Sequence, residues 1–298
     1  MHLRSTAATL AGAFFFLFID NATPYAAAIC TDGQPAALSA ADQARVADNC
    51  PFGMPLRRGE LVAGAPTHLV CRDGYVLEHH DVDRIPLWVS EHVTGAEVGG
   101  DVRRDREPFA PDPLLPQSAR AELSDYRNSG YDRGHMAPAG NQNSDVGLKE
   151  ETFFLSNMCP QIGVGFNRAI WSDLEEKTRQ WTENAADNDE IWIITGPVFY
   201  DPKEEDPATS DGFIEYDVIG SNEVAVPTHF YKIVVGKRGG TLRATAFVLE
   251  NRKHPRGEDL AQFVKPIDWI EFQTGLDFLP EMEDTQEDGL EREPGTMW

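Results

Sequence analysis

The chain has no excess of basic residues: 26 lysines and arginines stand against 49 aspartates and glutamates, a formal net charge of −23. Phosphate backbones attract basic surfaces, so this balance alone argues against a nucleic-acid-binding protein. The location of charge matters more than its sum, because acids concentrate in 201–217 and 281–298. Arginines instead surround the centre of the sequence, at Arg103, Arg104, Arg106, Arg120, Arg127, Arg133 and Arg168.

A long hydrophobic run is also missing. The apolar run near the start, 7–19, is shorter than the roughly 20 residues that span a bilayer. Basic residues precede it and small residues follow, a pattern typical of a signal peptide over 1–28. An uncleaved anchor is a weaker alternative, and a lipoprotein is weaker still because Ile29 stands where a small residue normally precedes the lipidated Cys30. We therefore predict a secreted or periplasmic protein with no membrane attachment after cleavage.

Cysteines are few, at Cys30, Cys50, Cys71 and Cys159. An oxidising compartment would let them pair, and four cysteines permit three connectivities. Three of them precede residue 72, so we expect one disulfide within that N-terminal segment. Cys159 is expected to be a buried free thiol, the commoner state of a lone cysteine in an apolar context.

Length and composition allow one large or two small domains, no internal repeat is apparent, and the predicted strands and helices indicate one α+β domain over 72–280. The segment 29–71 is rich in Ala, Gly, Pro and Asp and is predicted to be an irregular, cysteine-containing lead-in. The acidic tail 281–298 is predicted to be disordered.

Apolar patterns predict the elements of this domain. Tyr75–His79 and Ile85–Val93 flank a polar turn and indicate a hairpin. Residues 101–128 are predicted to form a long surface loop, and 167–183 a helix capped by Asn167. A short helix is expected within 266–278. Runs rich in β-branched and aromatic residues predict the central strands of one mixed or antiparallel sheet, at 191–199, 229–235 and 241–249.

Three motifs follow one another in the middle of the chain: YDRGHMAPAGN (131–141), SNMCPQ (156–161) and FNRAIWSDLE (166–175). Their combination resembles the DNA/RNA non-specific endonuclease family, which includes enzymes of the endonuclease G type. The resemblance covers most of 72–280. It implies a ββα-metal (His-Me finger) site, a Mg²⁺ cofactor for which Mn²⁺ can substitute, DNA and RNA as substrates, products with 5′ phosphates, and a homodimer.

The chemistry of phosphodiester hydrolysis fits these motifs. A base must deprotonate water and a cation must neutralise charge on phosphate oxygens. His135 suits the first task, because an imidazole can be neutral and still basic near neutral pH. Mg²⁺ prefers oxygen ligands, and the resemblance assigns its one direct protein ligand to Asn167. Glu175 is expected to orient a metal-bound water, as the resemblance also implies.

Four further residues complete the predicted site. Arg133 is expected to contact phosphate, since guanidinium groups match phosphate oxygens. Asp132 is expected to orient the loop or a metal-bound water, and Asn157 either lines the metal site or braces the loop. Family members use an arginine upstream near an aspartate-proline pair, here Asp112 and Pro113; we assign Arg106 to this role, with Arg104 as the alternative.

Two other readings of the sequence are available. His79 and His80, with Asp81 and Asp83, resemble a metal site. Adjacent side chains on a strand point to opposite faces and do not readily bind one ion, so the two histidines are predicted to be structural.

The whole chain could also be a catalytically silent binding module of the same fold, or a phosphodiesterase acting on an ester other than a nucleic acid. The joint presence of His135, Asn167 and Glu175 favours the nuclease.

Overall fold

The computed structural model describes residues 38–58, 66–102, 109–183 and 189–298, with the backbone of 4–8 in addition. No helix within these ranges is long and apolar enough to cross a membrane. The helices are α1 (Ala40–Asn49), α2 (Gly95–Val98), α3 (Leu123–Tyr126), α4 (Val146–Glu151), α5 (Trp171–Glu183), α6 (Ile267–Thr274) and α7 (Asp284–Glu291). The strands are β1 (Arg4–Ala8), β2 (Leu56–Arg57), β3 (Thr67–Cys71), β4 (Val76–His80), β5 (Ile85–Val93), β6 (Tyr131–His135), β7 (Met158–Ile162), β8 (Glu190–Val198), β9 (Phe213–Ile219), β10 (Val224–Ala225), β11 (His229–Arg238), β12 (Thr241–Glu250), β13 (Val264–Lys265) and β14 (Leu276–Asp277).

A seven-stranded antiparallel sheet forms the centre of the molecule, in the order β13-β12-β11-β8-β5-β4-β3. Its two faces are covered by separate apolar clusters. Along β11, Phe230 and Val234 belong to one cluster, whereas Tyr231 and Ile233 belong to the other. Because both faces are buried, the strand sequences are continuous apolar runs. The predicted α+β fold, the hairpin and the three central strands are confirmed.

One face of the sheet carries a smaller ββα unit. Strands β6 and β7 pair antiparallel with His135 opposite Met158, and α5 follows β7 after a turn. Gly134 is required in β6, because a Cβ atom there would lie 2.0 Å from the buried side chain of Gln161. The predicted ββα arrangement is thus present and is separate from the central sheet.

The N-terminal part of the chain differs from its prediction. The lead-in is not irregular throughout, because Ser39 caps the ten-residue helix α1. Polar contacts fix this helix to the sheet: Ser90 donates to the Asn49 carbonyl at 2.6 Å, and Asn49 Oδ1 accepts from the His92 amide at 3.0 Å. A helix that docks through hydrogen bonds shows little apolar periodicity, so the sequence pattern missed it.

The cysteine predictions have mixed outcomes. Cys159 is a buried free thiol, as predicted, and burial raises its pKa. Cys50 is also a buried free thiol, and burial raises its pKa to about 12. The expected N-terminal disulfide therefore has no counterpart among the described residues, while Cys30 lies outside them. The predicted signal peptide, apart from the backbone of β1, also lies outside them.

The acidic tail is ordered, which corrects the predicted disorder. It forms α7 and ends with Trp298 packed against Trp181, with ring centroids 5.3 Å apart. The Thr296 carbonyl accepts a hydrogen bond from Thr245 at 2.7 Å, and Gly236 leaves space for the terminal indole. An aromatic anchor and a backbone contact to the sheet hold a segment whose average composition is typical of disorder.

His79 and His80 are structural, as predicted. His79 is fully buried and its Nε2 donates to the Ala119 carbonyl at 2.9 Å. His80 instead faces Asp83, with 2.7 Å between Nδ1 and the carboxylate. Burial lowers the pKa of His79 to about 4.

This buried histidine predicts how stability depends on pH. The unfolded chain, with an ordinary histidine pKa of about 6.5, binds a proton more readily than the folded chain. The stabilising contribution is therefore complete above about pH 6.5 and disappears as the pH falls towards 4. Between pH 7 and pH 4, wild type should lose about 3 kcal/mol more unfolding free energy than His79→Gln in urea denaturation. Parallel pH curves for the two proteins would contradict this expectation.

Candidate active site

His135 ends strand β6 and is half-buried among aromatic rings. Its ring centroid lies 5.0 Å from that of Phe153 and 5.8 Å from that of Phe109. Both neighbours are apolar, so they shield one side of the imidazole from water. The arrangement holds a titratable side chain at the edge of the ββα unit.

Asn157 braces the loop that follows His135. Its Oδ1 accepts from the Ala137 amide, and its Nδ2 donates to the carbonyls of Ala137 and Thr152, each at 2.9 Å. The side chain is completely buried. Of the two alternatives in the sequence, the contacts match the brace, because the amide is engaged with backbone.

Asn167 lies in an irregular turn and does not cap a helix. Residues Gly163–Ile170 contain non-helical backbone, including Gly165 at φ +92°, and α5 begins only at Trp171. This corrects the predicted helix start. Asn167 Nδ2 donates to Asp132 Oδ2 at 3.0 Å, and within the described part of the chain Oδ1 accepts no hydrogen bond. The amide oxygen is thus available to a ligand.

Asp132 joins β6 to this turn. Besides Asn167, it accepts a hydrogen bond from Arg168 Nε at 2.7 Å. Burial alone would raise its pKa, but the hydrogen bonds from Arg168 and Asn167 hold the pKa of Asp132 below its ordinary value. The carboxylate is therefore ionised at neutral pH. It connects the strand that carries His135 to the turn that carries Asn167.

Glu175 lies near the start of α5, in its second turn, and is partly buried. Burial raises its pKa, and the positive charges of Lys232 and Arg179 oppose that rise. Lys232 is completely buried on β11, where its Nζ donates to Thr195 Oγ1 at 2.8 Å and lies 5.1 Å from the Trp171 ring centroid. Glu175 on α5 therefore interacts electrostatically with Lys232 on the central sheet.

A second buried carboxylate, Glu91 on β5, interacts with the same lysine. Burial raises its pKa, and the charge of Lys232 opposes the rise. Asn141, in the loop after His135, donates to Glu91 Oε1 at 2.9 Å and accepts from Arg179 at 3.5 Å. Hydrogen bonds thus join Glu91, Asn141 and Arg179, and the charge of Lys232 acts on Glu91 and Glu175. These five residues, between the sheet and the ββα unit, are hereafter the buried network.

The sequence analysis did not single out the buried network. The available signal was a charged residue within an apolar strand: Lys232 interrupts HFYKIVV, and Glu91 interrupts IPLWVSEHV. Charged residues are rarely buried completely unless they are paired. Two such residues of opposite sign in one sheet indicate a buried electrostatic interaction.

Lys232→Met should therefore destabilise the protein strongly. The substitution removes the hydrogen bond to Thr195 and the positive charge that acts on Glu91 and Glu175. The loss of a compensating buried charge typically costs about 3–5 kcal/mol. The matched control is Lys237→Met, because Lys237 lies on the same strand in a half-exposed ion pair with Glu190. That control should cost less than about 1 kcal/mol in urea denaturation. Equal losses in the two variants would refute the internal pairing.

Arg133 lines a shallow groove beside His135. Its guanidinium carbon lies 4.4 Å from the Phe109 ring centroid, and the exposed Arg127 lines the same groove. Phe109 contacts both His135 and this groove, so the two arginines supply positive charge close to the histidine despite the acidic total. The contacts are compatible with binding an anion.

The arginine predicted upstream of the motif lies in a part of the chain that the structure does not describe. Arg106 and its alternative Arg104 lie outside the described residues. Asp112, which guided that assignment, is completely buried and pairs with Arg72 at 2.8 Å through both carboxylate oxygens. Asp112 therefore has a structural partner on another segment.

A hard divalent cation fits the side chains around Asn167. Oxygen is the ligand atom that Mg²⁺ prefers, and the Asn167 amide presents an oxygen with no protein donor among the described residues. The ionised Asp132 holds that amide in place. The partly buried Glu175 adds negative charge from α5.

Comparisons with known proteins agree with this geometry. The sequence model of the DNA/RNA non-specific endonuclease family matches residues 61–285. A nuclease from Syncephalastrum racemosum is 38% identical over 250 residues, which cover 77% of this chain and 76% of that protein. The mitochondrial nuclease of Saccharomyces cerevisiae is 36% identical over 237 residues, with 76% and 70% covered.

A crystal structure of an EndoG/EndoGI complex, which concerns the inhibition of EndoG, has the same fold. It superimposes with a TM-score of 0.72 at 34% identity, over 81% of this chain and 94% of that one. The predicted ββα-metal nuclease fold is confirmed by this match.

The relatives overturn one prediction. Those from yeast, Caenorhabditis elegans and human are named as mitochondrial nucleases, so the expectation of a secreted or periplasmic protein is wrong. The match to the family model spans most of the chain, and the predicted nuclease activity agrees with the names of these relatives. The chain is a hydrolytic nuclease and belongs to the DNA/RNA non-specific endonuclease family.

Proposed function

We propose that the protein is a Mg²⁺-dependent endonuclease that hydrolyses phosphodiester bonds in both DNA and RNA, with His135 as the general base. One observation carries this proposal: Asp132 links the strand of His135 to the turn of Asn167 and leaves the Asn167 amide oxygen available. The base and the cation ligand are thus supplied by adjoining parts of one rigid unit.

His135 removes a proton from the attacking water. General-base catalysis of this kind contributes roughly 10²–10⁴ to a rate. The aromatic neighbours Phe109 and Phe153 fix the plane of the imidazole, and the Asn157 brace holds the loop that follows it. A fixed base needs little reorganisation during the reaction.

Asn167 would hold the cation through Oδ1, and Glu175 would act on it through a water molecule. When bound, Mg²⁺ neutralises the charge that develops on the phosphate oxygens and the leaving group, and Mn²⁺ can substitute for it. Asp132 keeps the Asn167 amide oriented by accepting from Nδ2. The positive charges of Lys232 and Arg179 favour the ionised form of Glu175 and oppose the effect of its burial.

Arg133 and Arg127 contact the phosphate backbone in the groove beside His135. Contacts to phosphates position a nucleic acid without reading its bases. They also do not require a 2′ hydroxyl, so both DNA and RNA can bind. The products, by likeness to the family, carry 5′ phosphates and 3′ hydroxyls.

The direct test is cleavage of supercoiled plasmid and of single-stranded RNA by the purified chain. We expect cleavage of both polymers with Mg²⁺ and none after EDTA, with activity restored by added Mg²⁺ or Mn²⁺. A small phosphodiester serves as the control substrate. Turnover of the small diester without polymer cleavage would indicate a phosphodiesterase of another kind. Binding of nucleic acid without any hydrolysis would indicate a silent binding module.

A further inference from the structure

A cluster of carboxylates occupies the contact between α6 and α7, on elements other than those that carry His135 and Asn167. Asp268 and Glu271 are one helical turn apart on α6, and Glu291 is the last residue of α7. One ligand oxygen from each lies within 4.8 Å of the others. Asp268 is exposed, whereas Glu271 and Glu291 are 8% and 4% exposed. These three residues are hereafter the acidic seam.

The surroundings of the acidic seam do not balance its charge. Glu287 and Asp277 add two further carboxylates nearby. Among the described residues, the cation that pairs with this group is Arg58, which lies 2.8 Å from Asp277 and 3.7 Å from Glu271. One guanidinium thus stands against five carboxylates.

Glu291 has no protein partner at all in the described part of the chain. It forms no hydrogen bond or ion pair there, and its Oε1 is buried. An ionised carboxylate that leaves water without a partner carries a large desolvation penalty. Burial and the neighbouring acids accordingly raise the pKa of Glu291 to about 9, and burial raises that of Glu271 to about 7. The side chain nevertheless points into the cluster, where further acids surround it.

We propose that Asp268, Glu271 and Glu291 bind a divalent cation of the calcium class, which fastens α7 to α6. Calcium binds oxygen at about 2.3–2.6 Å, so oxygens on opposite sides of one ion lie about 4.6–5.2 Å apart. The spacing in the acidic seam fits that span. Ca²⁺ accepts carboxylates and waters in flexible geometry, and the exposed Asp268 gives water access. Mg²⁺ demands near-ideal octahedral geometry at about 2.0–2.1 Å and dehydrates reluctantly, so three carboxylates on two helices suit it less well.

The test uses Asn167→Ala in every arm, so that an ion at the proposed catalytic site does not contribute. Ca²⁺ is titrated by calorimetry, and thermal unfolding is followed with and without Ca²⁺. We expect one binding site and, at about 100 times the dissociation constant, a rise in melting temperature of about 5–10 °C. Mg²⁺ should produce a smaller rise.

Glu291→Gln, added to Asn167→Ala, should abolish the Ca²⁺-dependent rise. It should leave the ion-free protein at least as stable, because glutamine replaces a buried carboxyl that has no hydrogen-bond partner among the described residues. Asp268→Asn, at an exposed position, should weaken the same response and serves if the first variant does not fold. Asp288→Asn is the matched control, since Asp288 lies on α7 but pairs with Arg292, and it should keep the full response. Three results would each overturn the proposal: Ca²⁺ gives no rise in the melting temperature of Asn167→Ala, the rise persists after Glu291→Gln is added, or acidification stabilises Asn167→Ala and Ca²⁺ does not.

Discussion

Replacing Asn167 with alanine should lower Mg²⁺-dependent cleavage of plasmid DNA by roughly 10³, equivalent to about 4 kcal/mol of transition-state stabilisation. The substitution removes the amide oxygen that is available to the cation and also the hydrogen bond that Nδ2 donates to Asp132. Part of the lost rate should return as Mg²⁺ is raised, because the variant binds the ion more weakly. Rates across a Mg²⁺ titration and calorimetric Mg²⁺ binding measure the effect.

Asn167→Asp separates the role of the oxygen from that of the donor. It keeps an oxygen at the same position but places a second carboxylate against Asp132, where wild type has a hydrogen bond of 3.0 Å. We expect an intermediate rate and a changed preference between Mg²⁺ and Mn²⁺. A role confined to bracing the turn would leave Mg²⁺ affinity unchanged in both variants, and that result would refute Asn167 as the ligand.

The central sheet was predictable because its strands are buried on both faces. Runs such as 191–199 and 229–235 need no alternation when each side chain meets an apolar cluster. The start of α5 was not predictable in the same way. Apolar spacing continues from Phe166 through the irregular turn, although the backbone of Arg168 and Ala169 is not helical.

The order in the tail depends on contacts distant in sequence. Trp298 packs on Trp181, and Thr296 accepts from Thr245. Local composition, dominated by acids, contains no information about these partners. The helix α1 was missed for a related reason, because its contacts through Asn49 are hydrogen bonds rather than an apolar stripe.

The candidate site was predictable from its motifs, since DRGH, the asparagine turn and the start of α5 are each short continuous segments that follow one another between 131 and 175. The buried network was not, because Glu91, Asn141 and Lys232 come from three separate segments. Buried acids, including one in this network, also account for part of the net charge of −23. Acids such as Glu91 and Asp112 are internal and interact with Lys232 or Arg72, so the total charge does not describe the groove lined by Arg133.

The predicted location was wrong because the pattern of the first residues was interpreted without comparison with related proteins. Basic residues followed by an apolar run are typical of export signals. Relatives named as mitochondrial nucleases contradict that interpretation. His135, Asn167 and Glu175 do not depend on that interpretation, since they lie far from the first residues of the chain.

Chemical rescue of His135→Ala tests the central claim most directly. Cleavage of plasmid DNA is measured for wild type, His135→Ala and Asn167→Ala at saturating Mg²⁺, with and without added imidazole. General-base catalysis by His135 predicts a loss of about 10²–10⁴ in His135→Ala, a rate that rises at least roughly tenfold with imidazole, and no such rescue in Asn167→Ala. A folded His135→Ala protein that cleaves DNA at a rate close to that of wild type would contradict the account.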